Sequence, residues 1–260
     1  IVDYLTGDWD GQDAVIELVV ATDEPLGTEE ELSKVTDVLG TFSTSFSTSG
    51  KARSANVRNG CDLINGVTLY PGETFSTLEL VTPFTEANGY AMAGSYLNGL
   101  VVDSLGGGIC QVSTTLYNAV LLAELEVTER FNHSMIVTYV DPSADAAISG
   151  TAKDFKFVNN LSYPIYIEGT TSEDKKITFT IYGCETRPEN REVIYESVVI
   201  SRNVPEGERV VADSSQPAGY IDVQSAHIGY VAELWKIVKV DGVEESREQI
   251  NDSRYTATPR

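Results

Sequence analysis

The sequence has few of the residues that build structural metal sites and disulfide frameworks. Its 260 residues include three cysteines and two histidines, and no Cys-x-x-Cys spacing occurs. A zinc site of the usual structural type is therefore not expected, and no metal or other cofactor is predicted. In an oxidising compartment Cys61 and Cys184 could form a disulfide and leave Cys110 as the free thiol. Two reduced, buried cysteines are the equally weighted alternative.

Basic residues are also scarce, with 18 Lys and Arg against 39 Asp and Glu and a formal net charge of −21. Such a chain repels phosphate backbones and anionic lipid surfaces, so nucleic acid is not expected as a partner. No apolar run reaches the roughly 18 residues that a membrane span needs. The chain begins at Ile1 without a signal-peptide pattern, which predicts an excised fragment whose membrane contact would come only through a missing segment.

The rest of the composition is that of a globular protein with 42% hydrophobic residues. Residue patterns predict a strand over 14–21 and then a helix that Thr28 caps together with Glu31, with apolar positions continuing to Leu39. Short strands, Gly-rich turns and one clear helix from Ile109 to Ala123 follow, which predicts an α+β domain. Its later strands are expected at 134–140, 163–168 and 176–182.

The C-terminal part shows no apolar helix stripe, so it predicts a nearly all-β module. Strands are expected at 193–200, 208–212, 220–224 and 233–240, with a hairpin-type turn at Asp241-Gly242. The predicted fold class is α+β, with one prominent helix after the Gly-rich cysteine segment and a separate β module at the C-terminus. The expected domains are 1–40, 41–186 and 187–260.

One cysteine stands at a position that favours thiol chemistry. Cys110 follows three glycines, Gly106 to Gly108, at the start of the predicted helix. Partial positive charge and unpaired amides at a helix N-terminus stabilise a thiolate. Glycines also let backbone amides approach a substrate carbonyl and form an oxyanion hole. A small buried packing residue is the structural alternative for this cysteine. A nucleotide phosphate loop is excluded because its Lys-Ser/Thr ending is missing.

A thiol nucleophile needs a base, and the two histidines make the choice narrow. His133 lies in the same predicted domain as Cys110, directly before the strand expected at 134–140. His227 lies in the β module, where a solvent-exposed loop position is expected. His133 is therefore the predicted base, and a histidine held only by structural hydrogen bonds is the alternative.

The segment around the cysteine resembles the signature of VanW-like domains, and the resemblance covers about 41–183. It is carried by these runs, in order: Pro71-Gly72-Glu73-Thr74-Phe75-Ser76; Gly106-Gly107-Gly108-Ile109-Cys110-Gln111-Val112-Ser113-Thr114-Thr115-Leu116-Tyr117-Asn118-Ala119; Glu129-Arg130 with His133-Ser134; Tyr139-Val140; Asp145-Ala146; and Asp154-Phe155-Lys156-Phe157 with Asn159-Asn160.

The flanking segments resemble other wall-associated modules. The opening part, up to Phe42-Ser43-Thr44, resembles the end of a peptidoglycan-binding module. The C-terminal part is similar to the G-five module of bacterial surface proteins through Gly207, Gly219, Gly229 and Gly242. These resemblances imply an extracellular protein of the cell wall or cell surface, with wall glycan contacted through the C-terminal module.

The VanW resemblance implies a peptidoglycan L,D-transpeptidase that makes 3-3 cross-links between stem peptides. Cys110 would be the acyl-accepting nucleophile and His133 the base, with Asp145 or Asp154 orienting the imidazole. Oxyanion or substrate contacts are expected from Gly107, Gly108, Gln111, Arg53, Arg130 and Ser134. Either arginine could instead simply pair with a neighbouring acid.

Two other functions stay open at the level of sequence. A non-catalytic wall-binding protein would use the Gly-rich segment to shape a peptide or glycan groove. A cysteine peptidase or amidase acting on peptidoglycan would need only water as the acceptor.

Overall fold

The computed structural model describes residue 7 and residues 27–97, 100–150, 152–210, 212 and 214–260. The strand predicted over 14–21 lies outside these residues. In chain order the elements are α1 (Glu29–Leu32), β1 (Asp37–Ser45), α2 (Lys51–Ile64), β2 (Val67–Leu69), β3 (Thr74–Ser76), α3 (Thr77–Val81), a 3-10 turn (Glu86–Asn88), β4 (Met92–Leu97), β5 (Leu100–Leu105), α4 (Ile109–Leu122), β6 (Glu126–Glu129), β7 (Lys156–Val158), β8 (Ile165–Thr171), β9 (Lys176–Gly183), β10 (Arg191–Asn203), β11 (Gly229–Val240) and β12 (Val243–Tyr255).

A four-stranded antiparallel sheet forms the centre of the molecule, in the order β1-β9-β8-β2. The predicted pair at its centre is confirmed as β8 and β9. Both strands alternate buried and partly exposed residues, as a sheet with one covered face requires. Helices α2 and α4 pack on the buried face. The α+β fold class is therefore confirmed.

Gly40 shows how closely α4 approaches the sheet. A Cβ atom at this position of β1 would lie 2.4 Å from the carbonyl oxygen of Ala119. Only a residue without a side chain allows this contact between strand and helix. Since β1 belongs to the central sheet, the domain boundary expected between residues 40 and 41 falls inside a strand.

The helix predicted after Thr28 is shorter than expected. Its capping box with Glu31 is present, yet α1 ends at Leu32, and Val38 and Leu39 belong to β1. No residue of α1 is buried, so no tertiary packing extends the helix. The segment beginning at Asp37 instead gains its hydrogen bonds from β9.

The segment 134–140 is not a strand, although it was predicted as one. Met135 and Val137 are buried while Ser134 and Thr138 are exposed, which explains the alternating pattern in the sequence. Within the described residues no strand pairs with this segment. The alternating pattern therefore comes from burial of every second side chain in a segment that has no strand pairing among the described residues.

The C-terminal part forms a three-stranded antiparallel sheet, β10-β11-β12. The predicted turn at Asp241-Gly242 is confirmed, with φ angles of 52° and 77°. The segments 208–210 and 220–224, predicted as strands, have irregular structure. Their apolar side chains find no core: Val210 is 92% exposed and Ile221 is 82% exposed.

This sheet shares a hydrophobic core with the rest of the chain. Leu234 of β11 belongs to the same buried cluster as Leu116 of α4, and Tyr195 and Ile250 pack against that cluster. The structure therefore joins the C-terminal sheet to the α4 region through packed side chains. Among the described helices, none is long and apolar enough to cross a membrane.

Glu124, directly after α4, adds an ionic contact at this junction. Its carboxylate pairs with Arg191, with Lys236 at 2.6 Å and with Arg187 at 3.4 Å, and its side chain is 12% exposed. Burial raises the pKa of this carboxyl, but the bonds to Arg191 and Lys236 outweigh that effect and lower the pKa to about 2.

Replacing Glu124 by glutamine should destabilise the chain by roughly 2 kcal/mol at pH 7, because Arg191 and Lys236 lose the carboxylate that pairs with them. Arg187 keeps its pair with Glu185. The folded-state pKa lies below the usual 4.5, so this contribution is present above about pH 4.5 and is lost as the pH falls toward 2. Denaturant unfolding of both proteins at pH 7 and pH 3 measures it. The matched control is Glu244→Gln in an exposed pair with Arg247, which should change little.

Candidate active site

The three glycines form a tight turn that fixes the start of α4. A Cβ atom on Gly107 would lie 2.2 Å from the carbonyl oxygen of Ala93, so β4 leaves no room for a side chain there. Gly108, the N-cap residue, has a φ of 108°, which favours glycine. The buried Asn56 of α2 donates 2.9 Å hydrogen bonds to the carbonyls of Gly107 and Ala91. This turn makes Cys110 the second residue of the helix.

The Cys110 thiol lies directly after this turn, at the N-terminus of α4. In its protonated form it donates to the carbonyl oxygen of Ile148 at 3.2 Å, and it is a hydrogen-bond partner of the His133 imidazole. Burial raises the pKa of the thiol, but the hydrogen bond and positive charge of His133 outweigh burial and lower it below the usual value. The arrangement favours a Cys110 thiolate beside a His133 imidazolium. The N-terminus of α4 also stabilises the negative charge of the thiolate.

Asp145 holds the imidazole from the opposite side. Its Oδ2 atom lies 2.6 Å from Nδ1 of His133 and accepts the backbone amide of the same residue at 2.7 Å. Burial lowers the pKa of His133, but its bonds to Asp145 and Cys110 outweigh this effect and raise the pKa to about 9. Since Asp145 occupies Nδ1, the other ring nitrogen is left for Cys110. The three side chains form a Cys-His-Asp arrangement.

The polar side of α4 holds the segment that carries Asp145. The hydroxyl of Ser113 donates to the carbonyl of Ala146 at 2.6 Å, and Thr114 accepts from the amide of that residue at 3.0 Å. One turn further on, Asn118 donates to the carbonyl of Ala144 at 2.8 Å. The helix that positions the thiol therefore also positions the acid.

Of the two acids predicted to orient His133, Asp154 is engaged elsewhere. Its carboxylate accepts from the Ser76 hydroxyl at 2.6 Å and from the backbone amides of Leu78 and Phe155 at 3.0 and 2.7 Å. These bonds hold the start of α3 against the residues before β7. Asp154 is therefore a structural residue, and Asp145 takes the position beside the histidine.

The two predicted carboxylate clamps differ in availability. Arg130 is 8% exposed, and all three of its side-chain nitrogens donate to neighbours, including Asp145 at 3.0 Å. Of the two roles considered for Arg130, substrate clamp or pair with a neighbouring acid, the structure shows the pair. Arg53 bonds to Ser49 at 2.6 Å and to Gln111 at 2.9 Å through one nitrogen, Nη1. For its other two nitrogens, the described part of the chain offers no acceptor.

The two other side chains predicted to contact the oxyanion or the substrate are Gln111 and Ser134. The side chain of Gln111 is buried and bonds to Arg53, Thr44 and the carbonyl of Ser45, so it anchors the arginine. The backbone amide of Gln111 donates to Gly108 at 3.0 Å, which removes it from an oxyanion hole. Ser134 is exposed, and its carbonyl accepts the amide of Thr256 at 2.7 Å.

Two amides beside the thiol are left for a developing oxyanion. The amides of Gly108 and Cys110 have no acceptor among the residues that the structure describes, whereas the amide of Ile109 donates to Gly106 at 3.0 Å. An oxyanion formed by attack of the sulfur would lie beside the amide of the nucleophile itself. Such donors stabilise charge in the transition state of acyl transfer.

Two tyrosine side chains at this site were not predicted. The Tyr139 hydroxyl lies 3.5 Å from Nε2 of His133, and burial raises its pKa well above the usual range, so it stays protonated. The ring centroid of Tyr96, on the β4–β5 hairpin, lies 6.5 Å from that of His133 and 5.9 Å from that of His227. Both histidines therefore flank Tyr96, and no periodic pattern in the sequence indicated this.

The remaining cysteines lie away from the thiol site. Cys61, Cys110 and Cys184 are all free, so the pairing considered for Cys61 and Cys184 is not formed. Cys61 is buried in the core, where burial raises its pKa to about 12. No cluster of three metal-binding side chains occurs in the described ranges.

Comparison with known protein families gives a match to the part of the chain that contains Cys110, His133 and Asp145. The family described as VanW like protein matches residues 52–182, half of the chain. The chain belongs to the VanW family. The matched range contains Cys110, His133 and Asp145, and the resemblance stated from the sequence is confirmed for this part.

Two curated proteins are similar in sequence to this VanW-family chain. It is 40% identical over 132 residues to the uncharacterized protein YoaR of Bacillus subtilis, covering 51% of this chain and 44% of the relative. It is 29% identical over 136 residues to the vancomycin B-type resistance protein VanW of Enterococcus faecalis, covering 49% of this chain and 48% of the relative. The chain thus spans about half the length of each. No solved structure matches.

The lowered thiol pKa predicts selective alkylation of Cys110. Iodoacetamide should label it at pH 6–7, where an ordinary thiol with a pKa of about 8.5 reacts slowly. A His133→Gln variant removes the cation, so the pH midpoint of labelling should rise by roughly one unit or more. Peptide mass spectrometry across a pH series measures both midpoints, with Cys184→Ala as the matched control. Equal midpoints in the parent and His133→Gln would contradict the thiolate-imidazolium pair.

Proposed function

We propose that this protein is a cysteine-dependent peptidoglycan L,D-transpeptidase that forms 3-3 cross-links between stem peptides at the cell wall. The observation that carries the proposal is the hydrogen-bonded series Cys110, His133 and Asp145, with the sulfur at the N-terminus of α4. VanW-family membership and the resistance protein among its relatives support a substrate from the cell wall.

In the first half of the reaction, the Cys110 thiolate attacks the carbonyl carbon of the third residue of a donor stem peptide. The amides of Gly108 and Cys110 hold the resulting oxyanion. When the C–N bond to the terminal D-residue breaks, the His133 imidazolium gives its proton to the leaving amine. The products are a thioester on Cys110, a free D-amino acid and a neutral imidazole.

In the second half, an acceptor stem peptide brings a side-chain amine to the thioester. His133 takes one proton from this amine as its nitrogen attacks the carbonyl carbon. The C–S bond then breaks, and the thiolate and imidazolium are restored. Asp145 stabilises the imidazolium in both halves and keeps the ring oriented toward the sulfur.

Charge around the site fits a donor with carboxylates and an acceptor with an amine. Arg53 lies beside Gly108, whose added Cβ would meet its side chain at 2.8 Å, and it influences the titration of Tyr96 and Tyr139. Two of its nitrogens have no acceptor among the described residues and could bind a substrate carboxylate, which guanidinium binds well. The net charge of −21 attracts a cationic acceptor to the molecule as a whole.

The direct test incubates the parent protein and its Cys110→Ala variant with purified disaccharide-tetrapeptide. Mass spectrometry should detect a cross-linked dimer and the released D-residue with the parent only. Loss of the nucleophile should lower the rate by roughly 1000-fold or more. Cys184→Ala, which removes a partly exposed thiol outside the site, serves as the matched control and should keep the parent rate.

Each other outcome assigns a different function. Cleavage to tripeptide without dimer would replace the proposal by a cysteine peptidase, since water would then be the acceptor. Absence of any product with the parent, together with binding of the muropeptide, would replace it by a non-catalytic wall-binding protein. Equal dimer formation by the parent and Cys110→Ala would exclude thiol catalysis.

A further inference from the structure

The last strand of the C-terminal sheet reaches the candidate active site. Asn251, Ser253 and Tyr255 alternate along β12, so their side chains share one face of the strand. Ser253 and Tyr255 are 1% and 4% exposed, although the rest of β12 is largely exposed. Polar side chains buried at this face need partners, and they find them around Asp145.

The hydroxyl of Tyr255 makes two bonds at the acid. It donates to Oδ1 of Asp145, the oxygen that does not contact His133, and it accepts the amide of Ser143 at 2.7 Å. Burial raises the pKa of Tyr255 above its usual range, so the hydroxyl stays a donor to the carboxylate. This single group thus fixes both the carboxylate and the chain two residues before it.

Ser253 completes the support through Arg130. Its hydroxyl accepts from Nη1 of Arg130 at 2.9 Å and lies 2.9 Å from the hydroxyl of Ser143. The same guanidinium donates to Oδ1 of Asp145 at 3.0 Å. Arginine and tyrosine together therefore occupy Oδ1, which leaves Oδ2 directed at the imidazole.

The chain before Asp145 has a conformation that this contact stabilises. Ser143 has a φ of 70°, a left-handed conformation that a residue with a side chain rarely adopts. Its amide and hydroxyl both bond to residues of β12. The C-terminal strand therefore stabilises this left-handed conformation in the segment that leads to Asp145.

We propose that Tyr255 is a positioning residue of the active site, and that Ser253 acts with it through Arg130. The C-terminal sheet is then part of the catalytic unit, beyond any role in binding the wall. Tyr255 sets the orientation of Asp145, and the aspartate in turn sets the orientation of His133 toward Cys110. This inference rests on the proposed function only where it concerns turnover, because the reactivity of the thiol reports the same positioning without a substrate.

The test compares Tyr255→Phe with the parent in the full chain. Without the hydroxyl, the carboxylate is free to turn toward Arg130, so the imidazolium is held less well beside the sulfur. The pH midpoint for alkylation of Cys110 by iodoacetamide should rise. With disaccharide-tetrapeptide, kcat should fall roughly tenfold or more while KM changes little, since no substrate contact is removed.

Tyr195→Phe is the matched control. The Tyr195 hydroxyl donates to the carbonyl of Leu121 at 2.6 Å at the same junction, away from Asp145. This variant should lose a similar amount of thermal stability and keep the parent midpoint and kcat. A Tyr255→Phe midpoint that is unchanged or lowered would overturn the inference. The midpoint decides this even if the parent forms no cross-links, so failure of the proposed function is recognised separately.

Discussion

The buried carboxylate of Asp145 is the group on which the candidate site depends. It is fully buried, and a charge in that position is stable only when every oxygen has a partner. One oxygen takes the His133 ring and amide, and the other takes Arg130 and Tyr255. The Asp145 carboxylate stabilises the His133 imidazolium, and the imidazolium in turn stabilises the Cys110 thiolate. The site is one ionic unit made of residues from three separate parts of the chain.

Local sequence patterns were sufficient to predict the nucleophile and the base of this site, Cys110 and His133. Three glycines before Cys110, followed by apolar residues at helical spacing, predicted α4 with the sulfur at its N-terminus, and the structure has that helix. The scarcity of histidine made His133 the in-domain candidate. The choice between Asp145 and Asp154 could not be made, because each stands beside small or polar residues that fit a turn equally well. The structure distinguishes the two acids because the segment that carries Asp145 packs against α4. This packing depends on long-range folding and not on the neighbouring residues in the sequence.

Long-range contacts were the part that sequence patterns did not reveal. The residues of β12 are mostly polar and exposed, and the sequence patterns assigned no strand beyond the turn at Asp241-Gly242. Three of them are instead directed at Tyr117, Ser143 and Asp145, more than 100 positions earlier in the chain. In the same way, the sequence left Arg130 open between a substrate clamp and a pair with a neighbouring acid, and only the folded structure identifies Asp145 as its partner. A polar side chain in a short strand carries no local sign of what it will meet.

Proton NMR of the imidazole ring tests whether His133 is a stabilised imidazolium between Asp145 and Cys110. The chain has two histidines, so a His227→Gln variant assigns both ring signals. The His133 signal should titrate at about pH 9. A His133 signal that titrates at or below its usual value of about 6.5 would exclude the thiolate-imidazolium pair, because the thiolate would then have no cation beside it.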